Sequence, residues 1–350
     1  MDHKERFYAT IERKPVDRPA CWLGMPLPSA NDNLFRYFEV KNLRELKLKI
    51  DTDIWEVDVP YNHPPNNHIA LAFDFPKKGQ SMENRTLTAP GFFEDYTDPL
   101  KDDIDAFNWP DPADHMDHED CRKVVEDIPE GYAVMGVLWS AHFQDIYSAF
   151  GMEKAFVKMH KYPDIFNAVH ERIVEFYLKA NKIFYEATKG MLDAVLIGND
   201  YGGQKRLMVS PENIRKFAMP GAKKLVDQAK RYRIKVIYHS CGSIFDAIPE
   251  LIDLGVDAIH PIQALATDME PEKLKQHYGN KVSFCGGVDH QELLVFGNPK
   301  QVRERVLELK KIFQTGLIIS PSHEAILPDI DPENVEALFN TVKNVNKKMI

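Results

Sequence analysis

Residues 192–198, LDAVLIG, then 211–232, PENIRKFAMPGAKKLVDQAKRY, then 234–239, IKVIYH, follow one another as apolar run, amphipathic stretch and apolar run. A short, near-continuous apolar run reads as a strand buried on both faces. The stretch between spaces its apolar residues as one face of a helix does. The same rhythm continues through VDAIHPI (256–262), KVSFCG (281–286), PKQVRERVLELKKIFQT (299–315) and GLIISP (316–321). Toward the N-terminus, PACWLG (19–24), DIWEVDV (53–59) and YAVMGVLW (132–139) bring the candidate strands to eight. Strands alternating with helices build a parallel sheet with helices packed on it. Eight of them in 350 residues predict one α/β domain over 1–350, a (β/α)8 TIM-type barrel with an N-terminal extension. The stretch 60–118 reads as a lid-like insertion. PYNHPPNNH (60–68) is broken by proline and asparagine, 85–97 reads as a hairpin with a Pro-Gly turn, and 98–118 is a polar, proline-interrupted loop.

Composition narrows the functions open to such a chain. Hydrophobic residues make up 44% and charged residues 28%, the balance of a globular protein rather than a disordered one. Apolar runs stop at five to seven residues, too short to span a membrane. The charged start, MDHKERFYATIERKPVDRP, has no apolar signal core, which predicts a cytoplasmic protein. Lys plus Arg number 44 against 53 Asp plus Glu, a net charge of −9. That balance argues against nucleic acid or an anionic membrane as partner and leaves a small-molecule substrate. No strand-to-helix turn carries GxGxxG or GxxxxGK[ST], so a nucleotide-phosphate loop is not expected. Four cysteines without a secretory signal make thiols or metal ligands, not a disulfide framework.

In a barrel of this type the reacting groups sit where strands end and the following loops begin. Reading those ends gives Trp22, Trp55, Glu56, Tyr61, Trp139, Asn199, Gln204 and Gln263 as candidate substrate contacts. His323, Asp200 and His142 are the candidate catalytic groups. The sharpest local feature is His239-x-Cys241. Residues i and i+2 of a strand project to one side. Imidazole and thiolate both suit Zn²⁺, which at a catalytic site takes about three protein ligands and keeps one position open. His323 and Cys285 are the candidates for the third ligand.

Three stretches, RKPVDRP (13–19), HSCGSI through GVDAIHPIQ (239–263), and CGGVD with GLIISPSHEAILPDIDPENV (285–335), resemble the uroporphyrinogen decarboxylase superfamily. The resemblance is strongest from about residue 190 onward. It implies a (β/α)8 barrel with its site at the strand C-termini, and a homodimer. The decarboxylase branch carries an arginine-bearing run near the N-terminus that binds substrate carboxylates. The corresponding stretch here, Leu23–Ala30, has no cation, and Arg36 is the first one downstream. The zinc-dependent methylcobamide methyltransferase branch carries H-x-C on the fifth strand and a cysteine after the eighth. His239 and Cys241 match it, and His323 stands at the third position. The resemblance thus implies a zinc-assisted methyltransferase working with a corrinoid (cobalamin-type) cofactor on a partner protein. The alternatives are a metal-independent decarboxylase of a less anionic substrate, with His323 as proton donor and Asp200 as orienter, or a non-catalytic corrinoid- or metal-binding protein.

Overall fold

Seven parallel strands form one curled sheet in strict sequence order. In the computed structural model, which describes residues 1–64, 67–73, 75 and 88–344, the strands are β1 Met25–Pro26, β2 Ile54–Asp58, β3 Ala133–Trp139, β4 Ala194–Gly198, β5 Lys235–His239, β6 Ala258–Ile262, β7 Ser283–Val288, β8 Leu317–Pro321 and β9 Ala325–Ile326. Strands β2 to β8 pair neighbour to neighbour, all parallel, while β1 and β9 pair in a second, two-stranded sheet. Helices fill the connections, as parallel strands require. The longest is Pro163–Ala187. Among the described residues no helix is long and apolar enough to cross a membrane.

The expected first strand, 19–24, needs correction. Only Cys21 of that run forms a bridge, to Ile319. The physical reason lies at its two ends. Pro19 has no N–H to donate. At Gly24 the backbone turns at φ +84°, and Met25 N–H reaches Glu324 O at 2.6 Å instead. The short stretch 20–22 nevertheless lies between the sheet's last and first strands. Ile319 N–H donates to Ala20 O (2.8 Å), Trp22 N–H to Ile319 O (3.1 Å), and Asp53 N–H to Cys21 O (2.9 Å).

Alternation along the strands divides the apolar residues into two cores. Ile54, Met135, Leu196, Ile237, Ala258 and Ile318 face inward and meet Trp22, with Phe7 and Ile11 of the first helix packed into the same cluster. The other face, including Val195, Val236, Ile259 and Phe284, packs with the helices. Beside the start of β2, the fully buried Asp53 carboxylate accepts from Arg6 and Arg18 (2.6 Å each) and from Cys21 N–H (2.8 Å). The RKPVDRP motif thus supplies, through Arg18, a buried ionic clamp that ties the N-terminal segment to the sheet.

Described residues of the insertion 60–118 pack against the long helix. Phe73, Phe75, Phe93, Phe107 and Trp109 form an aromatic cluster that reaches Phe176 and Tyr177 of the long helix. Residues 85–87 of the expected hairpin lie outside the described residues. Its remainder, 88–97, is mostly turn rather than paired strands, with Phe92 N–H donating to Phe75 O and Phe93 N–H to Ala149 O.

Candidate functional site

The inward face of the sheet changes character along the strands. Ile237 on β5 and Ala258 on β6 belong to the inner apolar layer. Two residues further on, the same face presents His239 and His260. Both are buried, with their Nδ1 atoms 2.9 Å apart. The chain leaving β5 places Cys241 Sγ 3.4 Å from His239 Nε2. From the end of β4, Asp200 Oδ1 comes within 3.3 Å of the same Nε2 and accepts from Cys241 N–H at 2.9 Å. Its second oxygen accepts from Gln144 Nε2 (2.9 Å). After β8, Glu324 Oε2 stands 3.6 Å from His239 Nδ1 and 3.4 Å from His323 Nδ1. Among the described residues this buried oxygen makes no hydrogen bond, with the two imidazoles as its charged neighbours.

β4 and β5 approach closely because Gly198 has no side chain. A Cβ there would lie 2.1 Å from His239 O. Gly24 does the same for Glu324, whose carbonyl would stand 2.4 Å from an added Cβ. Trp139 and Ser140, both at φ +55°, turn the chain sharply out of β3, a backbone state that non-glycine residues rarely adopt. The Trp139 ring ends 5.4 Å from the His239 ring.

The electrostatics follow from this packing. Burial alone would depress the His239 pKa, but Glu324, Cys241 and Asp200 outweigh it and hold the imidazole well above its usual range. Burial pushes the Cys241 thiol up, while His239 and His323 bring it below the ordinary thiol value. Burial also raises Asp200, yet His239, the Cys241 N–H and His323 leave it ionised, with a pKa of about 2. His260 is held well below the imidazole range by burial and by the neighbouring His239 and His323 charges. The cluster therefore joins a thiol held below its ordinary pKa, two carboxyl groups and imidazoles in one place.

Such a donor set suits a metal ion. Three overlapping groups, Asp200/His239/Cys241, His239/His260/Glu324 and Cys241/His323/Glu324, each keep their ligand atoms within 4.8 Å of one another. Thiolate, imidazole and carboxylate are the ligands zinc takes, and the Glu324 oxygen, which makes no hydrogen bond among the described residues, is a buried acceptor that a cation would satisfy.

The other residues singled out in the sequence fall into three places. Gln263 Oε1 accepts from Gly242 N–H (2.8 Å) and its Nε2 donates to Gln204 (3.1 Å), so both brace the loop after Cys241. Asn199 spends its amide on scaffolding, accepting from Phe143 N–H (2.7 Å) and donating to Tyr238 OH (3.1 Å). Glu56 is buried between Lys47 (2.6 Å) and the Trp22 indole N–H (3.1 Å). Trp55 faces the opposite way, toward Tyr132 and the Arg44 and Lys47 cations. Tyr61 packs on His115 of the insertion and on Phe176 of the long helix. His142 is fully buried against His170 (2.7 Å), where an added Cβ on Gly221 would touch it, and joins none of the three metal-capable groups. Cys285 lies in the inner apolar layer beside Ser320 Oγ (3.4 Å), its thiol pushed up to about 12 by burial, and it too is outside those groups.

Three residues of the site were not singled out from the sequence, the first being His260, whose place at a strand end was the available signal. Glu324 directly follows His323, and a carboxylate next to a candidate ligand was the available signal. His290, stacked 5.0 Å from His323 and bonded to Ser322 Oγ (3.0 Å), follows the βα turn of β7. Nothing in its local pattern marked it.

Comparison with known proteins adds the lineage. The family model described as uroporphyrinogen decarboxylase (URO-D) matches residues 81–345. The uroporphyrinogen decarboxylase of Magnetococcus marinus is 24% identical over 380 aligned positions, covering 100% of this chain and 99% of its own. That of Gloeobacter violaceus is 21% identical and covers 95% of each chain. The match to the Chlorobium luteolum enzyme, 28% identical, spans only 40% of either chain. Among solved structures, a methyltransferase from Methanosarcina mazei superposes with a TM-score of 0.70 at 17% identity, over 99% of both chains, a likeness of fold.

Proposed function

The chain belongs to the uroporphyrinogen decarboxylase family, and from that premise we propose that it is a metal-assisted methyltransferase for a small substrate rather than a porphyrinogen decarboxylase. The observation that carries this reading is the His239–Cys241 pair, thiol and imidazole 3.4 Å apart and flanked by Asp200 and Glu324. We read the stretch 20–22 as the eighth stave, which closes the sheet into a (β/α)8 barrel and puts this pair at the C-terminal mouth. Zn²⁺ held there would supply Lewis acidity to a substrate thiol or hydroxyl, stabilising its deprotonated form. The methyl group would pass between that substrate and a corrinoid presented by a partner protein. His323 stands at the edge of the site beside Glu324, and Cys241 and Glu324 outweigh its burial and hold the imidazole above its usual range. Asp200 fixes the Cys241 backbone, and Gln263 and Gln204 fix the loop that follows.

The names of the full-length relatives favour a second reading, decarboxylation, with His323 as proton donor. Charge weighs against the porphyrinogen itself. Residues 23–30 carry no cation, and the cluster presents Asp200, Glu324 and a low-pKa thiol. A polycarboxylate bound there would leave buried charge unpaired. The test offers the purified protein methylcobalamin with a panel of small thiols, and separately uroporphyrinogen. Loss of methylcobalamin absorbance without porphyrinogen decarboxylation is expected. Porphyrinogen decarboxylation at a useful rate would replace this reading with the second.

A further inference from the structure

Resting on the metal reading of the site, we infer that Asp200, not His323, is the third protein ligand, and that His323 stands outside the ligand set as a hydrogen-bond donor to the Cys241 thiolate. The first argument is spacing. Zinc bonds of about 2.0–2.3 Å at tetrahedral angles hold neighbouring ligand atoms roughly 3.3–3.7 Å apart. His239 Nε2 stands 3.3 Å from Asp200 Oδ1 and 3.4 Å from Cys241 Sγ. Asp200, His239 and Cys241 form one of the three groups with all ligand atoms within 4.8 Å. Among the described residues no such group unites His239, Cys241 and His323.

The second argument is the use of lone pairs. His323 Nδ1 accepts the Ala325 N–H at 3.1 Å. In the neutral ring the proton then sits on Nε2, which has no lone pair to offer a metal. The His323 ring and the Cys241 sulfur lie close together, with ligand atoms within 4.8 Å of each other, which suits an N–H donor to a thiolate. His239 is disposed the other way. With Nε2 toward Asp200 and Cys241, its Nδ1 faces His260 Nδ1 at 2.9 Å and Glu324 Oε2 at 3.6 Å, so a metal on Nε2 would leave the ring proton on Nδ1 toward these outer partners. The third argument is charge. One thiolate and one carboxylate neutralise a divalent cation, whereas one thiolate and two imidazoles leave a net positive charge in a buried site. Asp200 is also held in place before any ion arrives, by the Cys241 N–H on Oδ1 and by Gln144 on Oδ2.

Titration with Co²⁺ alone, following both affinity and the visible spectrum, tests the assignment. Wild type should bind one Co²⁺ per chain with a thiolate charge-transfer band. Asp200→Asn keeps an oxygen for the Cys241 N–H but loses the charged ligand, and should bind at least about a hundredfold more weakly. His323→Gln keeps an N–H donor and should lose less than about tenfold, below the roughly 10–100-fold that outright loss of an outer-shell partner costs. Asp200→Cys should add a second thiolate and strengthen the charge-transfer band, a gain that loss of structure cannot imitate. If His323→Gln suffers the large loss and neither Asp200 variant changes affinity or spectrum, the assignment is overturned while the metal reading stands. Failure of folded wild type to bind Co²⁺ or Zn²⁺ overturns both.

Discussion

Asp145 lies in the first turn of the helix His142–Phe150, where Tyr177 OH donates to its Oδ2 at 2.7 Å. Burial raises its pKa to about 7 against the lowering effect of that hydrogen bond. An unfolded aspartate titrates near ~3.9. The stabilising contribution of the protonated form is therefore complete below that value and is lost as pH rises through about 7. Asp145→Asn keeps an acceptor for Tyr177 without the charge. It should match wild type in thermal stability at pH 4 and exceed it by on the order of 2 kcal/mol at pH 8. Melting curves across that range check this, and equal melting temperatures at every pH would contradict it. Single residues also show where the sequence could be read. His239 and Cys241 were legible because their chemistry is distinctive and they lie two residues apart, although β5 ends at His239 and the chain leaving it, rather than strand alternation, brings Cys241 to the ring. The surroundings of His142 were not legible. The left-handed turn at Trp139 and Ser140 sends the following residue toward His170 and the neighbouring helices, and no propensity announces such a turn.

Elements position the site through close backbone approach. Gly198 ends β4 against His239, where a Cβ would meet backbone oxygen at 2.1 Å and nitrogen at 2.6 Å. Neither atom can move without breaking the β4–β5 ladder, which pairs Gly198 with His239. Gly198→Ala should destabilise the protein by about 3 kcal/mol or more through overpacking, and should weaken metal binding as well, because Asp200 and His239 would be forced apart. Denaturant titration and Co²⁺ titration together check this. A stable variant with unaltered metal affinity would mean that the close approach does not position the site. Strands β2 to β8 were legible as apolar runs because both of their faces are buried. The two-residue pair β1 and β9 was not, since its register is set by the bend at Gly24 and its contact with Glu324, not by a hydrophobic pattern. That same contact holds the backbone of Glu324 in place, so the residue missed in the sequence depends on the element missed in the sequence.

At the scale of the whole molecule, the inward face runs from an apolar floor, with Trp22, Ile237 and Ala258, to a polar rim with His239 and His260. Removing a metal from this rim should leave the apolar layer undisturbed, because the candidate ligands lie beyond that layer. Net charge, −9, and the absence of cations in residues 23–30 set the molecule apart from what a polycarboxylate substrate requires. The central claim is that the rim holds a metal ion, and elemental analysis tests it most directly. Wild-type protein, purified without chelator and with zinc supplied, should carry one zinc per chain. Cys241→Ser should carry well under half of that, with a thermal unfolding transition close to that of metal-stripped wild type. Folded wild type without stoichiometric metal would contradict the account. His239 and His323 would then be proton-transfer or substrate-binding groups, and decarboxylation the leading function.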